Sequence, residues 1–399
     1  MRSILAFNDY ETAWSPAFQD SMSNFPEDFV SIILSKKVGM SLKKSKYQIS
    51  TQNLIEFSNF GYVESYLNLS FSIFEPFIED SLDGEKFGFY LNTNAYYTEN
   101  KTDLDIIINH IKSSCILTHI EEQLIFIKEI GRGSTSTVYL AQNWERTESF
   151  AVKCISKTSL KKVSALKNLQ NEISIMRKIK HPNLAKLHEV YENEEQVYLV
   201  MEYLPYGNLL KRVSNNETIK EEKCARFMKS LLETLNYLHA NNIVHRDLKL
   251  ENILMTDELT MEFKIIDFGL AYNSQSFEKR KCGSPGYVAP EMLRDEEYNS
   301  KIDIFSTGVI LYILLHGEHP FEAGDMNKIL KKNLECKYRV NKKISSQVTE
   351  FLNIAMEPFP EQRPSALQLL EHPWINNKPK MVSVASILTC LSSNIPQNS

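Results

Sequence analysis

Long hydrophobic runs are missing from this chain: no stretch approaches the ~20 apolar residues that a membrane-spanning helix needs. A helical membrane span is therefore not expected. The opening MRSILAFNDYETAW reaches Asn8 and Asp9 too soon to hold the apolar stretch of a signal peptide, so secretion is not expected either. Charge of one sign is lacking too. With 45 Lys and Arg against 50 Asp and Glu, a net charge of −5, no broad positive field invites a nucleic acid backbone. Cysteine is sparse and scattered, at Cys115, Cys154, Cys224, Cys282, Cys336 and Cys390. These offer no CxxC pair and no metal-like spacing with histidine, which excludes a zinc finger and suits reduced thiols in the cytoplasm. Repeats of roughly 20–50 residues are absent, so no solenoid is expected.

What is present is enough chain, 399 residues at 43% apolar, for two or three domains. Residues 1–28 mix Ser, Asn, Asp, Pro and scattered aromatics without a period, and no structure is expected there. From 29 to 114 the texture becomes short β-like runs such as VSIIL, KYQIS, SYLNLSFSIF and KFGFYLN, separated by Gly, Asn, Asp and Lys turns. This predicts a small antiparallel unit. It closes with KTDLDIIINHIKSS, where Leu104, Ile107, Ile108 and Ile111 recur at helical spacing behind Thr102 as the expected N-cap. From 122 to 375 strands come first and helices afterwards, which predicts a two-lobed module. The remaining 376–399, rich in Ser and Asn, is either a short tail or one packed helix.

Within the module, IGRGSTSTVYLAQN at 130–143 sets Gly131 and Gly133 in a strand-turn-strand context. Such a pair is ordinary turn chemistry when taken alone. Ser136 stands where a strict GxGxxG has its third glycine, and no GK[ST] or βαβ unit follows, so neither a P-loop nor a dinucleotide site is expected. In FAVKCI, Lys153 sits in an apolar strand where a bare ammonium would be costly. It either snorkels to solvent or finds an anion. Glu172 is the candidate, on a helix whose Leu166, Leu169, Ile173 and Met176 form one stripe.

The decisive segments are IVHRDLKLENILM at 243–255 and FKIIDFGLA at 263–271. With Lys153 and Glu172 upstream they resemble the catalytic loop and metal-binding loop of the protein kinase family, and the resemblance covers 122–375. It implies an α+β, bilobal fold with a β-rich small lobe, and ATP and Mg2+ as nucleotide and metal. Asp247 would accept the substrate hydroxyl's proton, Lys249 would neutralise charge on the γ-phosphate, and Asn252 and Asp267 would hold magnesium. Lys153, paired with Glu172, would face the α- and β-phosphates. Ile130, Val138, Ala151 and Leu254 would line the adenine slot under Gly131 and Gly133, with Met201 as the gate and Glu202 and Leu204 offering backbone hydrogen bonds. His245 and Phe268 are implied to be packing groups, Glu291 and Arg363 a buried ion pair, and Asp303 an anchor for the catalytic loop. Phe305 stands where the family usually has tryptophan.

Lys249 in HRDLK and Ser284 in CGSP match the serine/threonine branch, and CGSPGYVAPE with YILLHGEHPF is most similar to the calmodulin-dependent group. A pseudokinase scaffold is the rival reading, but the lysine and both aspartates are present. Relatives often carry a phosphorylated Thr or Ser four residues before the CGSP serine; here Arg280 occupies that place, so a loop ordered without phosphate, with Glu278 against Arg246, is expected. Glu251 remains to receive a basic substrate, whereas Asn208 and Ile313 stand where basophilic relatives are acidic. Only a weak basic preference follows. The stretch beyond Trp374 is shorter than an autoinhibitory, calmodulin-binding segment, so calcium control through it is not expected.

Residues 29–114 resemble a pleckstrin homology domain, with Ile107 or Ile108 in place of the usual tryptophan of the closing helix. Lys36, Lys37, Lys43, Lys44 and Lys46 flank Gly39 in its first hairpin. The resemblance implies an inositol phosphate or an anionic membrane surface as partner, and hence a cytoplasmic protein recruited to membranes; a solvated basic hairpin is the plainer alternative.

Overall fold

The computed structural model describes residues 4–5, 15–16, 29–39, 41–51, 53–58, 63–81, 84–213, 218–274 and 280–376. The expectations for most of 1–28, for 377–399 and for Glu278 lie outside these residues. The chain divides into two compact units, Met1–Lys180 with Ala185–Pro205, and His181–Leu184 with Tyr206–Ser399.

The first unit is built on one sheet. Its strands are β1 (Ser15–Pro16), β2 (Phe29–Val38), β3 (Ser41–Ser50), β4 (Asn53–Phe57), β5 (Val63–Asn68), β6 (Ile73–Ser81), β7 (Gly84–Leu91) and β8 (Asn94–Tyr97), then β9 (Ile116–Leu117), β10 (Leu124–Arg132), β11 (Ser136–Asn143), β12 (Ser149–Ser156), β13 (Leu187–Glu192) and β14 (Gln196–Glu202). Two helices belong to it, α1 (Lys101–Ile111) and α2 (Val163–Lys178). Strand order is β1-β5-β4-β3-β2-β8-β7-β6-β9-β13-β14-β12-β11-β10. The alternation in β2 and β3 turns Ile32, Leu34, Tyr47 and Ile49 inward and Ile33 outward, as a half-buried sheet requires. Leu104, Ile107 and Ile111 close the core with α1. The cap of α1 is Asn100, whose side chain accepts from the Asp103 amide at 2.9 Å, not Thr102, which lies inside the first turn.

Short β9 is the seam. It runs parallel to β6 on one side and to β13 on the other, so the eight antiparallel strands β1–β8 and the five-strand sheet of β10–β14 are hydrogen-bonded into one. Their apolar cores merge as well: Leu104, Ile111 and Leu117 belong to the same cluster as Ala141, Val152 and Val200.

The second unit is mostly helical: α3 (Leu209–Val213), α4 (Glu221–Ala240), α5 (Pro290–Leu293), α6 (Lys301–His316), α7 (Met326–Glu335), α8 (Ser346–Ala355), α9 (Ala366–Leu370) and α10 (Pro373–Asn376). Two small hairpins, β15 (Ile243–Val244) with β18 (Tyr272–Asn273) and β16 (Ile253–Met255) with β17 (Phe263–Ile265), carry its loops. Helix α6 is buried on every side from Ile302 to Leu315 and is the hub of this unit. It stops at Gly317, whose φ of 74° supplies the left-handed C-cap. Ile313 is part of this core, which explains why no carboxylate stands there. Asn208 instead caps α3, its side chain accepting from the Lys211 amide at 3.1 Å. Among the described residues no helix is long and apolar enough to cross a membrane.

Candidate active site

In the first unit, register decides which side chains share a face. Val138 faces Lys153, Leu140 faces Ala151, and Ala151 faces Met201 across β11, β12 and β14. Directly opposed residues point the same way, so Val138, Ala151, Lys153 and Met201 make one surface. Lys153 Nζ reaches Glu172 Oε1 of α2 at 2.6 Å, and both side chains are largely shielded. That resolves the choice left by the sequence: the lysine is paired rather than snorkelled. Gly133 closes the loop between β10 and β11, its amide donating to the Ser136 carbonyl at 2.8 Å. A Cβ on Gly131 would meet only Val138 at 3.8 Å, and one on Gly133 only Ser136 Oγ at 3.4 Å. The fold itself does not demand glycine there. A cavity of about 470 Å3 beside this loop is lined by Tyr139 and Cys154, on the sheet face opposite Lys153. Ile130 is 40% exposed on β10, and Glu202 and Leu204 are half-buried at and just beyond the end of β14.

In the second unit the catalytic-loop residues form one hydrogen-bonded cluster. Ser284 Oγ donates to Asp247 Oδ1 at 2.8 Å, Lys249 Nζ donates to Ser284 Oγ at 2.7 Å, and Lys249 lies 2.8 Å from Asp247 Oδ2. Asn252 Nδ2 donates to the Asp247 carbonyl at 2.9 Å and to Oδ2 at 3.1 Å. Both amide protons of Asn252 are thus directed at Asp247, which leaves its carbonyl oxygen as the end available to a cation. Asp267 is exposed, at a left-handed φ of 63°, with Oδ1 accepting from the Gly269 amide at 3.2 Å. An exposed carboxylate and a free amide oxygen are hard donors, and they fit magnesium, which keeps water and phosphate oxygens for its other positions. No group of three or more His, Cys, Asp or Glu forms a complete metal cage among the described residues. Leu254 is half-buried on β16, bridged to Asn208.

Beneath this cluster the packing is tight. His245 is fully buried, its Nε2 3.2 Å from the Ile266 carbonyl and its ring 5.1 Å from that of Phe268, so it props the loop that carries Asp267. Asp303 accepts from the His245 and Arg246 amides at 2.9 and 3.0 Å. Arg246 needs that support because its φ is 67°. Glu291 and Arg363 form a bidentate pair at 2.7 and 3.0 Å with almost no exposure. Arg246 also donates from Nη1 to Tyr298 Oη at 3.0 Å, and Tyr298 donates onward to the Arg280 carbonyl at 2.8 Å.

Two members of this arrangement were not read as site residues from sequence. Ser284 served only as a class marker, although its place in CGSP, one residue after a glycine, was a signal for close approach. Tyr298 carried no signal. The five hairpin lysines, conversely, are not one cluster. Pairing of Lys36 with Lys43 and of Lys37 with Leu42 puts Lys36 and Lys43 on the inner face and Lys37, Lys44 and Lys46 on the outer. Lys43 pairs with Glu56 at 3.2 Å, and Lys44 with Glu99 at 2.5 Å. Burial lowers the pKa of Lys36, whose ammonium lies 5.7 Å from the Tyr96 ring centre.

The protein kinase domain model matches residues 124–375. Among curated proteins the chain is 42% identical over 256 residues to "Probable serine/threonine-protein kinase 2" of Plasmodium falciparum, covering 62% of this chain and 49% of that protein. It is 35% identical over 268 residues to myosin light chain kinase A of Dictyostelium discoideum, 65% of this chain and 90% of that one. Calcium/calmodulin-dependent protein kinase type 1 of Caenorhabditis briggsae is 37% identical over 264 residues, 64% and 74% of the two chains. The chain thus spans about half the length of the Plasmodium relative.

Proposed function

This chain belongs to the protein kinase family, and we propose that it is a serine/threonine protein kinase that transfers the γ-phosphate of ATP to protein hydroxyls with Asp247 as the proton acceptor. The observation that carries this reading is the cluster around Asp247, where Lys249, Ser284 and Asn252 fix both carboxylate oxygens. A carboxylate held by three partners is oriented before the acceptor arrives, so little reorganisation remains for the transfer step. Lys249 stands ready for charge leaving with the phosphoryl group. Asn252 and Asp267 would hold magnesium, which supplies charge neutralisation between the phosphates when bound. Lys153, kept in place by Glu172, orients the nucleotide, and Val138, Ala151 and Met201 give adenine an apolar face beside it. Ile130, Gly131, Gly133, Glu202, Leu204 and Leu254 complete the proposed nucleotide contacts.

Radiolabelled ATP, a generic basic protein and phosphoamino-acid analysis test the reading. Wild type should label serine or threonine, while Asp247→Asn and Asp267→Ala should lose at least about a hundredfold in rate, the order expected for removing a positioned acid–base or charge-stabilising group. Wild-type turnover in either variant would refute the role given to that aspartate, and no labelling by the wild type would leave only the scaffold reading.

Activation without a loop phosphate is supported by the Arg246–Tyr298–Arg280 chain, in which a phenol hydroxyl spans the cation and the loop backbone. Placement in the calmodulin-dependent group is supported by the relative named calcium/calmodulin-dependent protein kinase type 1. A weak taste for basic peptides rests on Glu251, one of whose carboxylate oxygens is shielded and meets no donor among the described residues. The pleckstrin homology-like reading of 29–114 rests on a four-strand meander, a three-strand meander and a closing helix. For an anionic surface only Lys37, Lys44 and Lys46 share the outer face, with exposed Ile33 and Leu42 between them. Sedimentation with anionic and neutral liposomes should show weak, salt-sensitive binding that a triple substitution of these lysines abolishes; equal binding to both vesicles would end the proposal.

A further inference from the structure

Helix α2 presents Glu172 to Lys153, but it is also gripped from behind. Gln170 and Arg177 are separated by two helical turns and share a face, while Glu172 lies roughly 160° around the axis from Gln170 at about 100° per residue. On that rear face Gln170 Nε2 donates to the Leu5 carbonyl at 2.6 Å, and Leu5 itself is fully buried. The next residue toward the chain start is held as well, the Ile4 amide donating to Glu192 Oε1 at 2.8 Å, and Glu192 in turn pairs with Lys157 at 2.7 Å. Arg177 Nη2 donates to the Cys115 carbonyl at 2.6 Å, in the connection between α1 and β9. Its guanidinium lies 5.6 Å from the Phe71 ring centre, just before β6.

The Arg177 contact is not an ordinary surface bond. Among the described residues its Nε and Nη1 are shielded and meet no acceptor, and burial lowers its pKa to about 10. Holding a cation there with one carbonyl and one ring costs stability compared with a snug apolar side chain. A costly buried charge that reaches the Cys115 carbonyl and the Phe71 ring makes sense if it fixes the helix in one place.

We infer that Arg177 and Gln170 are positioning residues for phosphoryl transfer, fastening the rear of α2 to the N-terminal β domain and to Leu5 so that Glu172 stays on Lys153. This rests on the proposed role of that ion pair in holding the nucleotide. The N-terminal domain is then an internal part of the catalytic machinery: it completes the small-lobe sheet through β9 and sets the rest position of α2. Protein kinases require the lysine–glutamate pair to be formed for activity, so a contact that holds the helix acts on the rate through Glu172.

The test uses the full chain and a double-mutant cycle. Arg177→Met removes the cation but fills its volume, and Glu172→Gln breaks the ion pair. With kcat and KM for ATP measured in all four proteins, Arg177→Met should lower kcat/KM by about tenfold in the wild-type background, within the usual range of coupling between sites. In the Glu172→Gln background it should cost less than about twofold, because the helix no longer has a pair to position. Arg177→Lys should recover part of the loss. Thermal unfolding of Arg177→Met should be unchanged or higher, since two unpaired nitrogens are gone. Equal losses in both backgrounds, or no loss at all, would overturn the inference. Should Arg177→Met fail to fold, Gln170→Leu makes the same comparison through the Leu5 contact. Wild-type activity of Glu172→Gln alone would refute the ion pair's role instead, and the two failures are thereby distinguished.

Discussion

Replacing Asp303 with Asn changes almost no volume and removes one charge, which makes it a sharp probe of how the catalytic loop is held. The carboxylate sits in the first turn of α6 without exposure, accepting the His245 amide at 2.9 Å, the Arg246 amide at 3.0 Å and His239 Nε2 at 2.9 Å. An amide has a single acceptor oxygen, so in Asp303→Asn one of the two backbone N–H groups must face an NH2. One charge-assisted bond becomes neutral, losing about 1 kcal/mol, and one buried donor is orphaned, costing about 1–3 kcal/mol. The total is about 2–4 kcal/mol, and Arg246, whose left-handed backbone costs about 1–2 kcal/mol, has lost its clamp. Urea unfolding followed by tryptophan fluorescence should show that loss at pH 7, and kcat should fall with it because Asp247 is the next residue along. Burial alone would raise the Asp303 pKa, but the His239 bond and nearby charge, with the His245 amide, more than offset it and hold the group below the ordinary carboxylate range. A lowered folded pKa means the stabilisation is fully present above about pH 3.9 and is lost as the pH falls below it. The difference between wild type and variant should therefore be flat from pH 7 to about 5 and shrink only in acid. A loss under about 0.5 kcal/mol at pH 7 would refute the reasoning, since even one neutralised buried bond exceeds that.

Three further outcomes follow from single contacts. Gly283 has φ of 93°, and a Cβ there would lie 2.7 Å from the Arg246 carbonyl, so Gly283→Ala should push the activation segment off the catalytic loop and lower kcat by at least about tenfold, on a penalty of about 1–2 kcal/mol from backbone conformation alone. Tyr298→Phe removes the hydroxyl between Arg246 and Arg280 and should lower kcat several-fold, about 1–2 kcal/mol, while phosphatase treatment leaves wild type unchanged; full dependence on phosphate at Ser274 or Ser276 would show that the latch lies elsewhere. Burial lowers the His319 pKa to about 4, with Nε2 shielded and unpartnered among the described residues, so the unfolded chain takes up the proton first and stability should fall as pH drops from about 6.5 toward 4, by up to about 3 kcal/mol. His319→Asn, which can still accept from the Phe321 amide, should flatten that slope in urea titrations.

How much of this was legible depends on what kind of constraint each residue obeys. The residues expected to handle phosphate and metal stood out because the chemistry dictates residue type at fixed spacing, and HRDLKLEN with DFG needs no knowledge of packing. The lysine hairpin was half legible. Strand period alone separates Lys36 from Lys37, and a two-residue turn at Gly39 would have fixed the register, yet a count of charges ignores both. Thr102 was a reasonable cap by type, but Asn100 satisfies the Asp103 amide and moves the start of α1 back by a turn's fraction that propensity cannot resolve.

Helix α2 marks where sequence reading runs out. Its apolar stripe of Leu169, Ile173 and Met176 predicts one buried face, and the same logic assigns Gln170 and Arg177 to solvent. Amphipathicity, however, counts how many faces look apolar, not how many partners a helix has. A second partner that meets the helix through one carbonyl, one ring and one amide hydrogen bond leaves no apolar signature, because polar side chains make those contacts. The burial of Gln170 and of the Arg177 guanidinium is therefore a tertiary fact, fixed by residues more than sixty positions away in sequence. That is also why it bears on function: a face which local folding would leave wet has been closed by another part of the chain, and the side of the helix it closes lies opposite the glutamate that holds Lys153.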